Sequence, residues 1–460
     1  MHFDGDGRAR CLLMRMGYAA LLCAGIALAA QAQVGQLPQV GQLAQVGTIG
    51  GTDAPAMSPP PVSSGRPDVF AAEGRAESAL IVGDWLLYPS GFGGVFFDSN
   101  VNQTAVGARS SAGFRAVPSL LANTNNGFSQ TTIYALADGR IYTNQIPGGG
   151  DAVSVRSGVI ETYKPLEDLT FSAQGDYTRQ KDLFNTLGVT RDAPSLNPTG
   201  LGLSPTTNPQ SYDQFSGSGS VQKDFGQAFV TLGGSVVDQT YDRNSGATAP
   251  SPDGVTYTGT MRGGYWIVPA LYGYVSGSLD SRDLVTSSLS SSGYRTVAGL
   301  GTDQIGLVRG EVYAGYQSES YRSAAVGTAS SSVFGARGFY YPLPELTINL
   351  AVDESLGATL LAGTPTSPIG TSTKVTSALG TVAYSIAPQW TASGRAGYIH
   401  TDYNGSVRRD DAWTIGTTAT YNFWRTVGLT LDYQHVELGS NVALQSFSRD
   451  VVTLGVTYKY

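Results

Sequence analysis

Charge is scarce in this chain, and thiols and imidazoles are scarcer. Asp, Glu, Lys and Arg make up 14% of 460 residues, where about 25% is usual in globular proteins. There are two cysteines, Cys11 and Cys23, and three histidines. Long apolar runs are missing too. After residue 32 nothing approaches the about 20 residues that a membrane helix needs, which excludes an α-helical membrane protein. Both cysteines lie before residue 32, so beyond it disulfides, thiolate nucleophiles and cysteine-held metals are ruled out. Only His400 and His435 remain there, which argues against a transition-metal site. No catalytic set, metal or cofactor is expected. The formal net charge of -7 leaves no basic footprint for nucleic acid.

Glycine, by contrast, is plentiful at 59 residues, nearly twice the usual ~7%. The chain opens with Arg8, Arg10 and Arg15 before an apolar run over 17–30, and Ala30, Gln31 and Ala32 put small residues where a signal peptidase reads. Residues 1–32 therefore read as a cleaved signal peptide, and removing its net +1 leaves -8. Residues 33–83 repeat Val-Gly-Gln-Leu from Val34 and again from Val40, then carry Pro55, Pro59, Pro60, Pro61 and Pro67. Such a segment buries too little surface to order itself, so it is expected to form a low-complexity periplasmic tail.

From residue 84 onward the pattern changes to a period of two. At the end of the chain Val452, Leu454, Val456, Tyr458 and Tyr460 share one parity, opposite Thr453, Gly455, Thr457 and Lys459. That is a strand with one oily and one wet face. Eighteen such segments follow one another: 85–98, 112–124, 129–143, 152–163, 169–182, 212–224, 227–241, 255–268, 271–283, 293–306, 308–321, 331–341, 345–357, 374–387, 390–403, 411–424, 427–438 and 447–460. Each exceeds the five or six residues of a typical soluble strand and meets the about 9–11 of a tilted membrane strand. Connections after even-numbered segments are tight, as at Phe225 and Gly226 or Pro269 and Ala270; those after odd ones are longer, as at 183–211. An even count with alternating short and long connections predicts an all-β fold: a transmembrane antiparallel up-and-down β-barrel of about 18 strands (16–18), both termini periplasmic.

Parity also assigns faces. Leu346, Ile348, Leu350 and Val352 point to lipid and Thr347, Asn349 and Asp353 inward. Aromatic residues near strand ends, among them Trp85, Tyr88, Tyr265, Trp266, Tyr340, Tyr341, Trp390, Phe423 and Trp424, read as interfacial girdles. Tyr272, Tyr274 and Tyr313 are scattered rings on the inward parity. Arg262, Arg282, Arg309, Glu311, Asp353 and Arg395 fall on that parity as pore-lining candidates, because an Arg facing lipid at mid-membrane costs about 2–4 kcal/mol. The loop at 183–211 carries Arg191 and Asp192 and is long enough to fold into the mouth as a constriction.

Gly94, Val95, Phe96, Phe97, Asp98, Ser99, Asn100 and Val101, with Arg115, Pro118, Ser119 and Leu120 after them, resemble the opening of the putative β-barrel porin family, type 2, of Gram-negative exported proteins. With the signal peptide and terminal Tyr460 the resemblance covers about residues 85–460. It implies an outer-membrane barrel of porin type and assigns no catalytic residue; relatives are often associated with envelope or exopolysaccharide functions. Tyr458 and Tyr460 look like the assembly signal of such barrels. Two functions follow: a passive porin for ions and small hydrophilic solutes, or an envelope or exopolysaccharide export barrel gated by its tail or by the 183–211 loop. Expected partners are outer-membrane lipid and the barrel-assembly machinery; a homo-oligomer stays open.

Overall fold

The computed structural model describes residues 79–102, 104–144, 152–181, 211–242, 253–285, 290–322, 327–358, 372–404, 407–442 and 446–460. Everything in it is β-sheet and connection. The strands are β1 (Leu80–Val82), β2 (Trp85–Asp98), β3 (Ser111–Asn125), β4 (Ser129–Tyr142), β5 (Ala152–Leu166), β6 (Leu169–Lys181), β7 (Ser211–Phe225), β8 (Ala228–Tyr241), β9 (Gly254–Val268) and β10 (Leu271–Leu284). They continue as β11 (Ser291–Ile305), β12 (Val308–Tyr321), β13 (Thr328–Leu343), β14 (Leu346–Ala358), β15 (Ser372–Ala387), β16 (Trp390–Tyr403), β17 (Arg409–Asn422), β18 (Val427–Ser440) and β19 (Phe447–Lys459).

Each of β2 to β19 pairs antiparallel with its sequence neighbours, and β19 pairs back onto β2, from Lys459 opposite Ser90 to Val451 opposite Asp98. The result is a closed antiparallel barrel of 18 strands. Closure pairs the two outermost strands with each other, which is what lets a sheet sit in lipid with its backbone groups satisfied. An even count also brings Trp85 and Tyr460 to the same rim.

That rim is made of tight hairpins, and we call it the turn end. Gly226 sits at φ 76° and Gly306 at φ 61° in two-residue turns, a left-handed conformation that a side chain resists and glycine accepts. The other rim is the loop end.

β1 is a difference from the sequence reading, which puts residues 33–83 in an unstructured tail. Leu80, Ile81 and Val82 pair with Leu87, Leu86 and Trp85. They show no alternation, so period alone misses them. They are ordered because β2 extends below the end of β19 and offers an open edge there, which β1 covers.

The two faces separate by parity. On the convex face Leu350, Ile415, Leu431 and Leu454 are half exposed, whereas Asp353, Thr414, Thr430 and Thr453, on the opposite parity of the same strands, are buried against the concave one. Contacts that jump over strands confirm which side is concave: Arg262 on β9 reaches Glu311 on β12, and Arg295 on β11 reaches Asp353 on β14. Such reach exists only inside the curve.

The lumen wall as candidate functional site

An 18-strand barrel is wide enough to leave a water-filled channel, so its concave wall is the candidate site. Inward side chains there lie flat instead of pointing at the axis. Arg262 stacks its guanidinium 3.7 Å from the centroid of Tyr274 and reaches Glu311 at 3.0 Å. Arg295 lies 5.5 Å from the Tyr313 ring and 3.4 Å from Asp353, and the Tyr313 hydroxyl donates to that same carboxylate. Arg408 covers Tyr403 at 4.8 Å, and both bond Asp410, at 2.6 and 2.8 Å. Arg449 and Tyr142 share Asp98 at 2.6 and 3.1 Å. Arg115 donates twice to Asp138, at 2.8 and 2.7 Å. Cation, ring and acid thus recur as one unit around the wall, each ion offsetting the desolvation of its neighbour.

Glycine makes the flat posture fit. A Cβ at Gly335 would come within 2.3 Å of the Tyr313 ring, and one at Gly301 within 2.3 Å of Tyr272. Tyr274 lies over Gly299 and Phe229 over Gly264 in the same way.

Six sequence-chosen residues can be placed. Arg262 and Glu311 form one pair, and Asp353 belongs to the Arg295 unit. Arg395 lies 3.4 Å from Asp432, whose carboxylate also accepts from Thr418 at 2.6 Å. Arg309 faces Asp303 at 3.9 Å. Arg282 shares the inward parity of Ser278 and Asp280 on β10. Arg191 and Asp192 lie outside the described residues. Tyr458 and Tyr460 are on the convex side, 44% and 38% exposed, beside the seam between β19 and β2.

Two aromatic assignments are corrected. Trp266 faces inward, 4.8 Å from Tyr272 and 6.4 Å from Phe229, and Tyr341 stacks inside on Phe339 at 6.3 Å. In the dipeptides Tyr265-Trp266 and Tyr340-Tyr341 one ring must face each way, and the exposed members are Tyr265 and Tyr340. The inward rings are therefore not scattered: Phe229, Tyr272, Tyr274 and Tyr313 form a single buried cluster with Val297 and Val333, and Trp266 packs against it. Arg295, Arg115, Asp138 and the Asp98–Arg449 pair were missed, although parity places all of them inside.

At the loop end the segment after β2 folds inward. Val101 packs on Phe96 and Tyr142. Asn100 holds it there through bonds to the carbonyls of Thr104 at 3.1 Å and Ser448 at 2.9 Å. Two strands also part near this rim: the β13–β14 ladder stops at Gly335 and Asp353, and the Gln317 side chain bonds both backbone groups of Leu356 instead, at 3.2 and 3.1 Å.

On the convex side near the loop end, a different unit occurs three times. Tyr398 and His400 both bond Asp411, at 2.6 and 2.8 Å; Tyr433 and His435 both bond Asp450, at 2.8 Å each; Tyr177 and Arg179 both bond Asp213, at 2.6 Å each. Two donors spaced i and i+2 on one strand hold a carboxylate of the next, so the two histidines are absorbed into cross-strand brackets.

A family model described as "Putative beta-barrel porin 2" matches residues 77–460. Solved structures of similar fold include OccAB4 of Acinetobacter baumannii, at 10% identity and TM-score 0.42, covering 84% of this chain and 100% of that one. The siderophore receptor PiuA of the same organism matches at 9% identity and TM-score 0.43, covering 83% and 82% of the two chains. The outer membrane protein OpdK of Pseudomonas aeruginosa matches at 12% identity and TM-score 0.42, covering 82% and 99%. The search of curated proteins found no match. With the family match running from just before β1 to the last residue over one closed barrel, the chain belongs to the beta-barrel porin 2 family, and its fold is that of an outer-membrane porin.

Proposed function

We propose that this protein is a passive diffusion channel of the outer membrane for ions and small hydrophilic solutes. In this reading residues 1–32 are removed on export, the turn end faces the periplasm and the loop end faces outward. One observation carries the proposal: the concave wall of a barrel wide enough to hold water sets most of its charges as neutral, flat pairs. A wall of that kind solvates a moving solute without holding it, whereas charge rings are what impose strong selectivity. The absence of catalysis is part of the same reading: the acids of the units described above are each engaged by a cation or hydroxyl, and the exceptions, Asp280 and Glu319, are buried side by side on β10 and β12.

The purified protein in a planar bilayer is expected to give a steady, ohmic conductance, with anion and cation permeabilities within about threefold of each other. A silent barrel that opens on deletion of residues 33–79 would favour the gated export reading instead. The β1 hairpin gives that alternative some footing, because it fixes the point where the upstream segment joins the seam.

A further inference from the structure

Every hairpin at the turn end carries a large apolar side chain that the fold leaves uncovered. Ile81 is 75% exposed, Phe128 56%, Leu166 56%, Phe225 61%, Leu307 47% and Trp424 67%. The three remaining turns follow suit with Val268, Leu343 and Ile386, each about half exposed. These positions are at or beside the turn itself, where solvent-facing hairpins ordinarily place polar residues. Polar partners do occur in the same turns: Glu167 and Asp168, Gln227, Glu345 and Arg425. Lys223 bonds Asp168 there, and that bond holds the Asp168 carboxyl below its usual range.

From this we infer that the turn end is sunk into the phospholipid leaflet: the nine turns form an apolar collar seated at the glycerol level, with their polar members among the headgroups. The inference rests on the membrane-spanning reading above. Distribution decides between lipid and protein as the occupant. A docked protein covers one sector of a rim, and the collar runs through all nine turns of the circumference. It is also continuous with the convex apolar band, through Tyr265, Tyr340, Trp390 and Tyr458, which are rings of the type that settle at the headgroup boundary. Exposed apolar area on this scale has a partner, and a leaflet is the one that surrounds a barrel on every side.

The test uses the full chain in a Cys11→Ser and Cys23→Ser background, which leaves no other thiol. An environment-sensitive fluorophore is attached to single cysteines introduced as Phe225→Cys, Leu307→Cys, Leu431→Cys and Val407→Cys, and each protein is inserted into phosphatidylcholine vesicles. Leu431 reports on the mid-band, and Val407, 87% exposed at the loop end, is the aqueous control. Labels at 225 and 307 are expected to be at least about threefold less open to aqueous iodide than the label at 407, and to be quenched by lipid bearing a nitroxide near the glycerol end of its chain. Iodide access at 225 and 307 equal to that at 407, with 431 shielded, overturns the collar and leaves the spanning barrel standing. Access at 431 as well overturns the spanning reading itself. Protection at 225 without 307 marks a one-sided contact and also overturns the collar.

Discussion

Tyr313 shows what a single residue needs in order to line this wall. Its ring is 5% exposed, carries Arg295 on its free side, donates to Asp353 and lies over Gly335. Replacing Gly335 by Leu puts atoms where the ring now lies, so Tyr313 must lift and its hydroxyl loses the carboxylate. Overpacking of this kind costs about 1–3 kcal/mol, and we expect a matching fall in the denaturant midpoint of the folded barrel. Gly394 is the contrast: a Cβ there meets nothing within 4 Å, on the convex parity of Ala392 and Ala396. Gly394→Ala is expected to stay within about 0.5 kcal/mol of the parent. Equal losses at the two positions would mean that glycine serves the backbone here and not the ring above it.

Among the elements, β2 and β19 bear the most, since they form the joint. Their ladder runs only from Ser90 to Asp98 on β2, and its upper end is fastened by Arg449 and Asp98, 8% and 0% exposed. Arg449→Met leaves a buried carboxylate with only the Tyr142 hydroxyl and the Asn100 amide, and removing the charged partner of a buried pair costs about 3–5 kcal/mol. The double variant Arg449→Met with Asp98→Leu is expected to recover most of that loss in the same unfolding measurement. The strands themselves were readable beforehand, because alternation fixes both type and length: 85–98, 390–403 and 308–321 agree with the structure at both ends. Parity was readable wherever a strand held a run of Leu, Ile or Val, as in β14. The girdle reading goes wrong at Trp266 and Tyr341 because it rests on nearness to a strand end and not on parity: Trp266 shares the inward parity of Arg262, and Tyr341 that of Phe339.

For the molecule as a whole, neutrality of the channel wall is a property of pairs, and pairs are what a linear sequence conceals. Arg262 and Arg395 could be placed inside from their parity, but the acids that answer them, Glu311 and Asp432, are on strands two or three away around the curve. Breaking one pair therefore changes the field more than removing one free charge would. Glu311→Gln leaves Arg262 lying on Tyr274 without a counter-ion, and we expect the reversal potential in a salt gradient to move toward anion preference. An unchanged potential would show that Arg262 lies off the permeation path.

The joint between the earliest and latest strands has a last consequence, for biogenesis. A hoop joined between its earliest and its latest stave cannot close until all eighteen are in hand, so every partial assembly carries two raw edges. Loss of either stave leaves the other with an unpaired row of backbone groups.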